Sequence, residues 1–224
     1  MRVIRKAELA RKAIMDACST CNGHGCRECM QKVERVNILS AACIPVAYWN
    51  YTLKGFKGDD KFKDNIEKYV RSLDELYTDG KSLAIAGRHG VGKTFAACEI
   101  LKAAMTLRYV AKYTTMSEII DRIISKDYEF KTSLLHSDFL VIDEFDSRYI
   151  PTSDHGKEVF GTSLENIIRT RIQNKLPIIF CTNNLAGLSD IFDDPTFTTF
   201  AGTFKSLFAE SNLITISANG VDLR

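Results

Sequence analysis

The chain has 224 residues, of which 45% are hydrophobic and 26% charged, and its net charge is +2. That length supports one sizeable core with a small appendage. The composition is that of a soluble globular protein, and the charge is too small to imply a nucleic-acid partner by itself. No apolar run approaches the roughly 18 residues of a membrane span. The first residues, Met1-Arg2-Val3-Ile4-Arg5-Lys6, lack the apolar segment of a signal peptide. The expectation is a cytoplasmic protein with no membrane contact, where clustered cysteines point to metal rather than disulfides.

Residues 5–17 read as a helix that mixes Ala7, Leu9, Ala10, Ala13, Ile14 and Ala17 with Lys6, Arg11 and Lys12. The basic residues read as a solvated face. Then come Cys18, Cys21, Cys26 and Cys29, spaced C-x2-C-x4-C-x2-C. Two C-x2-C knuckles can hold one tetrahedral Zn²⁺ through four thiolates, and Gly23 and Gly25 allow the sharp reversal between them. The connector is short, which leaves His24 as an alternative ligand in place of one cysteine. Such a module has little apolar core, so metal binding would supply its folding energy. A second helix spans about 28–42 and completes an N-terminal module, residues 1–42, suited to a partner protein.

Pro45 marks a boundary. Residues 43–80 read as a linker and lead-in helix. Tyr48, Trp49, Tyr51 and Phe56 pin the linker to a core, Cys43 reads as a small buried residue, and one amphipathic helix covers 59–78.

From residue 81 to 224 strand and helix alternate, the mark of a parallel α/β sheet. The run Ser82-Leu83-Ala84-Ile85-Ala86 reads as a buried strand. It leads into Gly87-Arg88-His89-Gly90-Val91-Gly92-Lys93-Thr94, which is G-x-x-x-x-G-K-T, and a helix begins around Phe95. The glycines let backbone N–H groups turn onto phosphate oxygens, the helix adds its positive end, Lys93 reaches the β- and γ-phosphates, and the Thr94 hydroxyl can bind Mg²⁺. Gly87, Gly90, Val91, Gly92 and Phe95 complete the nucleotide-binding stretch. A second strand is expected over 109–114, followed by a helix carrying Met116, Ile119, Ile120, Ile123 and Ile124. The apolar run Phe139-Leu140-Val141-Ile142 then ends in Asp143-Glu144. Carboxylates at the C-terminal tip of a buried strand stand where open α/β sheets bind ligands. Asp143 suits Mg²⁺, and Glu144 suits activation of water. A helix over 157–175 and a strand over 176–181 lead to Thr182-Asn183-Asn184, whose amide can sense a γ-phosphate. A helix over 197–209 and a strand over 213–217 close the chain.

Taken together, the residues resemble an AAA+ ATPase, and more narrowly a bacterial or phage replicative helicase loader of the DnaC/DnaI type, a family related to the IstB transposition ATPases. The resemblance covers roughly 43–224 and rests on Ile44-Pro45, the glycine loop, Asp143-Glu144, Thr182-Asn183 and Gly220-x-Asp222-x-Arg224. It implies a five-stranded parallel sheet in the order 5-1-4-3-2 and no helical lid. It also implies that Asn183 is the first sensor and Arg224 the second, and that Lys93, Glu144, Asn183 and Arg224 share the catalytic work. The family's arginine finger has no match. Lys205 is the nearest cation in its place, with Arg169 and Arg171 as alternatives.

The function implied is ATP-dependent loading of a DnaB-type helicase onto single-stranded DNA by an ATP-dependent homo-oligomer, with ATP, Mg²⁺ and Zn²⁺ as cofactors. An IstB-like helper of a DNA transposase is the alternative. A metabolite kinase is disfavoured by the paired acids and by the lack of a lid.

Overall fold

The computed structural model describes residues 2–185, 188, 198–210 and 212–223. The chain forms two compact units, Met1–Tyr51 and Thr52–Arg224.

In the first unit, α1 (Arg2–Asp16) packs on α2 (Arg27–Ala41), with Ala7, Cys29, Val36 and Leu39 buried. Arg11 donates to Asn37 Oδ1 at 2.7 Å across the pair. The end of α2 corrects one expectation. Cys43 is half-exposed rather than buried, and it takes φ +57°. The Ile44 N–H reaches back to Leu39 O, so Cys43 fills the left-handed position usually given to glycine at a helix end. The aromatic cluster divides between the units. Trp49 is buried in the first and donates its indole N–H to Ile44 O at 2.8 Å. Phe56 belongs to the second and stacks on Phe95, ring centres 5.2 Å apart.

The second unit opens with α3 (Asp60–Arg71), capped by Asp59 Oδ1 accepting the Phe62 N–H at 3.1 Å. The single helix expected over 59–78 breaks at Ser72 (φ −103°, ψ 16°), and α4 (Leu73–Asp79) follows. The Ser72 N–H bonds Tyr69 O, a tightened last turn of the kind that ends helices. Gly80, at φ +68°, closes α4 where a side chain would press on the Lys175 backbone.

The sheet unit then runs β1 (Leu83–Gly87), α5 (Lys93–Thr106), β2 (Ala111–Thr115), α6 (Met116–Ile124), α7 (Tyr128–His136) and β3 (Phe139–Asp143). It ends with α8 (Asp154–Gln173), β4 (Ile178–Thr182), α9 (Thr198–Glu210) and β5 (Ile214–Ala218). Strand order is β2-β3-β4-β1-β5, and every pairing is parallel. This is the predicted 5-1-4-3-2 order read from the other edge. β1, β3 and β4 are buried along their whole length, as strands covered on both faces must be. The second strand starts two residues later than expected, because the Val110 N–H is taken by Asp138 Oδ2 and the Tyr109 hydroxyl by Asp74. α7 was not foreseen; its start is fixed by Asp127 accepting the Phe130 N–H at 2.9 Å. Among the described residues no helix follows β5.

Arg171 changes its standing. As a candidate finger it would have to reach a neighbouring subunit, but it is fully buried in α8. Its guanidinium donates to Leu134 O, Ser137 O, Asp138 O and Pro177 O at 2.6–3.2 Å. It satisfies the last carbonyls of α7 and ties them to the starts of β3 and β4. Burial pushes its pKa down, while Asp138 and Tyr77 act to hold it up. Replacing it by leucine strands several buried carbonyls, so Arg171→Leu is expected to lower stability by roughly 3–5 kcal/mol. Arg169→Ala, which removes only a half-exposed pair with Glu165, is expected to cost under about 1 kcal/mol. Denaturant unfolding followed by far-UV circular dichroism checks both.

Candidate functional site

β1 ends at Gly87 and α5 starts at Lys93, so residues 88–92 form the turn between strand and helix. The turn requires glycine at two places. Gly90 (φ +79°) and Gly92 (φ +94°) take left-handed backbone, and a side chain on Gly90 would collide with the Asp222 carboxylate. Leu223 donates its N–H to Gly90 O at 3.0 Å, so residues 222 and 223 lie on the loop. Arg224, the expected second sensor, lies outside the described residues.

Lys93 is the buried cation of the loop. Its Nζ donates to Gly87 O at 2.9 Å, Arg88 O at 2.7 Å and Asn183 Oδ1 at 2.8 Å. Thr94, half-buried, follows in the first turn of α5. In the sheet β4 lies between β1 and β3, so Asn183, one residue past β4, stands between the glycine loop and the tip of β3. Sequence placed that amide there, and its bond to Lys93 joins two elements 90 positions apart.

Asp143 ends β3 and is buried. Its Oδ1 accepts the Glu144 N–H and its Oδ2 accepts the Tyr113 hydroxyl, each at 2.8 Å. Glu144 takes φ +54°, exposes its side chain and accepts the Tyr149 hydroxyl at 3.1 Å. The two acids are therefore neighbours in sequence with opposite surroundings. Asp146 extends the polar path. Burial raises its carboxyl, but Arg148 and the Asn183 amide together hold it below the usual range. Lys93, Asn183, Asp146 and Arg148 thus form one chain of polar contacts. Of the remaining finger candidates, Lys205 is exposed on α9 and Arg169 pairs with Glu165 on α8. Tyr113 and Tyr149 were not foreseen, and nothing local in the sequence marks them.

The Asp143 carboxylate, against which the Cys181 thiol also lies, and the Thr94 hydroxyl are the oxygen donors that would serve a cation. Such a set fits a hard ion such as Mg²⁺.

In the other unit, Cys18, Cys21, Cys26 and Cys29 bring their sulfurs within 4.8 Å of one another. The Cys18–Cys26 and Cys21–Cys29 sulfurs are 3.5 and 3.6 Å apart. Four sulfurs at about 2.3 Å from a tetrahedral zinc stand about 3.8 Å from each other. The cluster matches that size and could hold Zn²⁺. His24 is exposed and outside it, so it replaces no cysteine. Asn22, Gly23 and Gly25, all at positive φ, make the reversal between the knuckles. Burial raises the Cys21 thiol, but hydrogen bonds from Cys18, the Cys26 and Gly25 backbone and Cys29 outweigh it and bring the group to about 6. At Cys29 burial and the bonds to Cys21 and Cys26 act together and push it up to about 12.

The sheet order, the glycine loop at the tip of β1 and the acid at the tip of β3 are those of the AAA+ fold. Helicase loaders and replication initiators are among the solved structures of that fold which this chain resembles. A crystal structure of the DnaC helicase loader matches 77% of this chain and 99% of its own, with a TM-score of 0.59 and 24% identity. A crystal structure of DnaI matches 80% and 94%, with a TM-score of 0.63 and 18% identity. Replication initiator DnaA bound to AMPPCP and single-stranded DNA matches 77% of this chain but 50% of its own, with a TM-score of 0.56 and 17% identity. No protein-family model and no curated protein matches the chain. Among the described residues no helix is long and apolar enough to cross a membrane.

Proposed function

We propose that the chain is an ATP-dependent helicase loader, which binds a DnaB-type replicative helicase and single-stranded DNA in the cytoplasm. The observation that supports this most is coverage. The DnaC and DnaI chains are matched over 99% and 94% of their length, whereas DnaA is matched over half. The likeness therefore runs along nearly the full length of the solved loader chains and along half of the solved initiator chain. The cysteine unit preceding the sheet is the second support, since it offers a surface for a partner protein. In this reading residues 1–42 engage the helicase, 43–80 connect, and 81–224 turn over nucleotide.

In the catalytic reading the first-turn amides of α5 and the Lys93 ammonium hold the β- and γ-phosphates. In this structure the three N–H donors of Lys93 are taken by Gly87 O, Arg88 O and Asn183 Oδ1, so the ammonium would exchange bonds to these groups for phosphate oxygens. Thr94 and Asp143 would hold Mg²⁺, which neutralises charge on the phosphates when bound. Glu144 accepts a proton from water as its oxygen attacks the γ-phosphorus. The bond to the β,γ-bridging oxygen breaks, and ADP and phosphate leave. Asn183 reads the γ-phosphate through its bond to Lys93 and passes its state to Asp146. Arg224 would act as the second sensor. A cation from a second copy, Lys205 or Arg169, would complete the site in an ATP-dependent homo-oligomer, and hydrolysis would release the helicase.

The test is capture of a hexameric DnaB-type helicase and of labelled single-stranded DNA by the full chain. Both are expected to be retained with ATP and Mg²⁺ and lost with ADP. DNA retention should fall steeply with salt, since contacts to phosphates dominate. Retention of duplex DNA together with a transposase, and no helicase, would instead favour the IstB-like alternative.

A further inference from the structure

Asp143 is hydrogen-bonded by a residue on another strand. β2 and β3 pair in parallel with Tyr113 opposite Val141 and Thr115 opposite Asp143. Side chains alternate along a strand, so Tyr113 and Asp143 share one face of the sheet and meet diagonally. The Tyr113 ring is buried, and its hydroxyl donates to Asp143 Oδ2 at 2.8 Å while the Glu144 N–H donates to Oδ1 at 2.8 Å. One hydrogen bond would leave the carboxylate free to rotate about its last torsion. The Tyr113 hydroxyl from β2 and the Glu144 N–H just past β3 hold one oxygen each and fix the plane of the group, with the Cys181 thiol of β4 also against it. The second acid is served differently. Tyr149, in the polar stretch after β3, donates to Glu144 instead.

We propose that Tyr113 is a positioning residue for divalent-cation binding: its hydroxyl sets the rotation of the Asp143 carboxylate toward the ion that accompanies the nucleotide. The inference rests on the nucleotide-binding reading above. Removing a donor that orients a metal-binding carboxylate typically lowers metal affinity by roughly 10- to 100-fold. Tyr113→Phe deletes one hydroxyl and keeps the ring.

The experiment measures binding of a fluorescent ATP analogue by the full chain as Mg²⁺ is titrated, and again without Mg²⁺. Wild type is expected to bind more tightly as Mg²⁺ is added. In Y113F the Mg²⁺ concentration giving half of that gain should rise about 10-fold or more, with affinity in the absence of Mg²⁺ unchanged. The unchanged metal-free affinity also shows that the variant is folded. Y149F, which touches the other acid, should leave the Mg²⁺ midpoint where it is. An unmoved midpoint in Y113F, or equal shifts in Y113F and Y149F, would overturn the inference. Absence of any Mg²⁺-dependent gain in wild type would instead count against the nucleotide reading.

Discussion

Lys93→Ala is expected to bind nucleotide about 30- to 5,000-fold more weakly than wild type, the equivalent of about 2–5 kcal/mol. The reason lies in where the ammonium stands. It is buried at the base of the glycine loop, and no other described cation is bonded to the Gly87 and Arg88 carbonyls. Alanine removes the charge that phosphate oxygens would meet in a site shielded from water, where such contacts are strong. The fold should survive, because Lys93, at the first position of α5, lies outside the apolar cluster of Leu140, Ile142, Leu164, Phe180 and their neighbours. Calorimetric titration with Mg-ATP gives the affinity, and an unchanged circular dichroism spectrum shows the fold is intact.

Removal of zinc, or Cys29→Ser, is expected to melt the first unit and leave the second folded. Apart from the four cysteines, the 18–29 turn has only sparse internal bonds, such as His24 N–H to Cys21 O. A structural zinc contributes on the order of 10–16 kcal/mol of apparent binding free energy to so small a module. Trp49 is the only tryptophan, and it is buried in this unit, so its emission reports the event directly. One zinc per chain should be found on the purified protein, and chelation should shift Trp49 emission to the red. Acid should do the same, since protons compete with the metal for thiolates. Nucleotide affinity should persist through both treatments. An unchanged Trp49 signal in metal-free protein would show that the cysteines do not hold the unit together.

The parts of the site legible in sequence are those whose chemistry is local. The glycine loop needs Gly90 and Gly92 because the backbone there turns left-handed, and that need shows as a spacing. The four thiols lie within twelve positions, and Asp143-Glu144 ends an unmistakable apolar run. What escaped depends on which strands become neighbours. The Tyr113–Asp143 bond exists only because β2 pairs with β3. Arg171 misled for a related reason. A sequence shows its charge but not the four carbonyls that gather around it from α7, β3 and β4. The break at Ser72 and the late start of β2 follow from bonds to Tyr69 and Asp138, which no periodicity reveals.

ATP held on the loop before α5 and split by water activated at Glu144 is tested most directly by measuring bound nucleotide and released phosphate on one sample, for wild type and Glu144→Gln. Both are expected to bind ATP with similar affinity, wild type to release phosphate with no acceptor added, and E144Q to retain ATP unhydrolysed. Phosphate release by E144Q at the wild-type rate, or a wild type that binds no ATP, would contradict it.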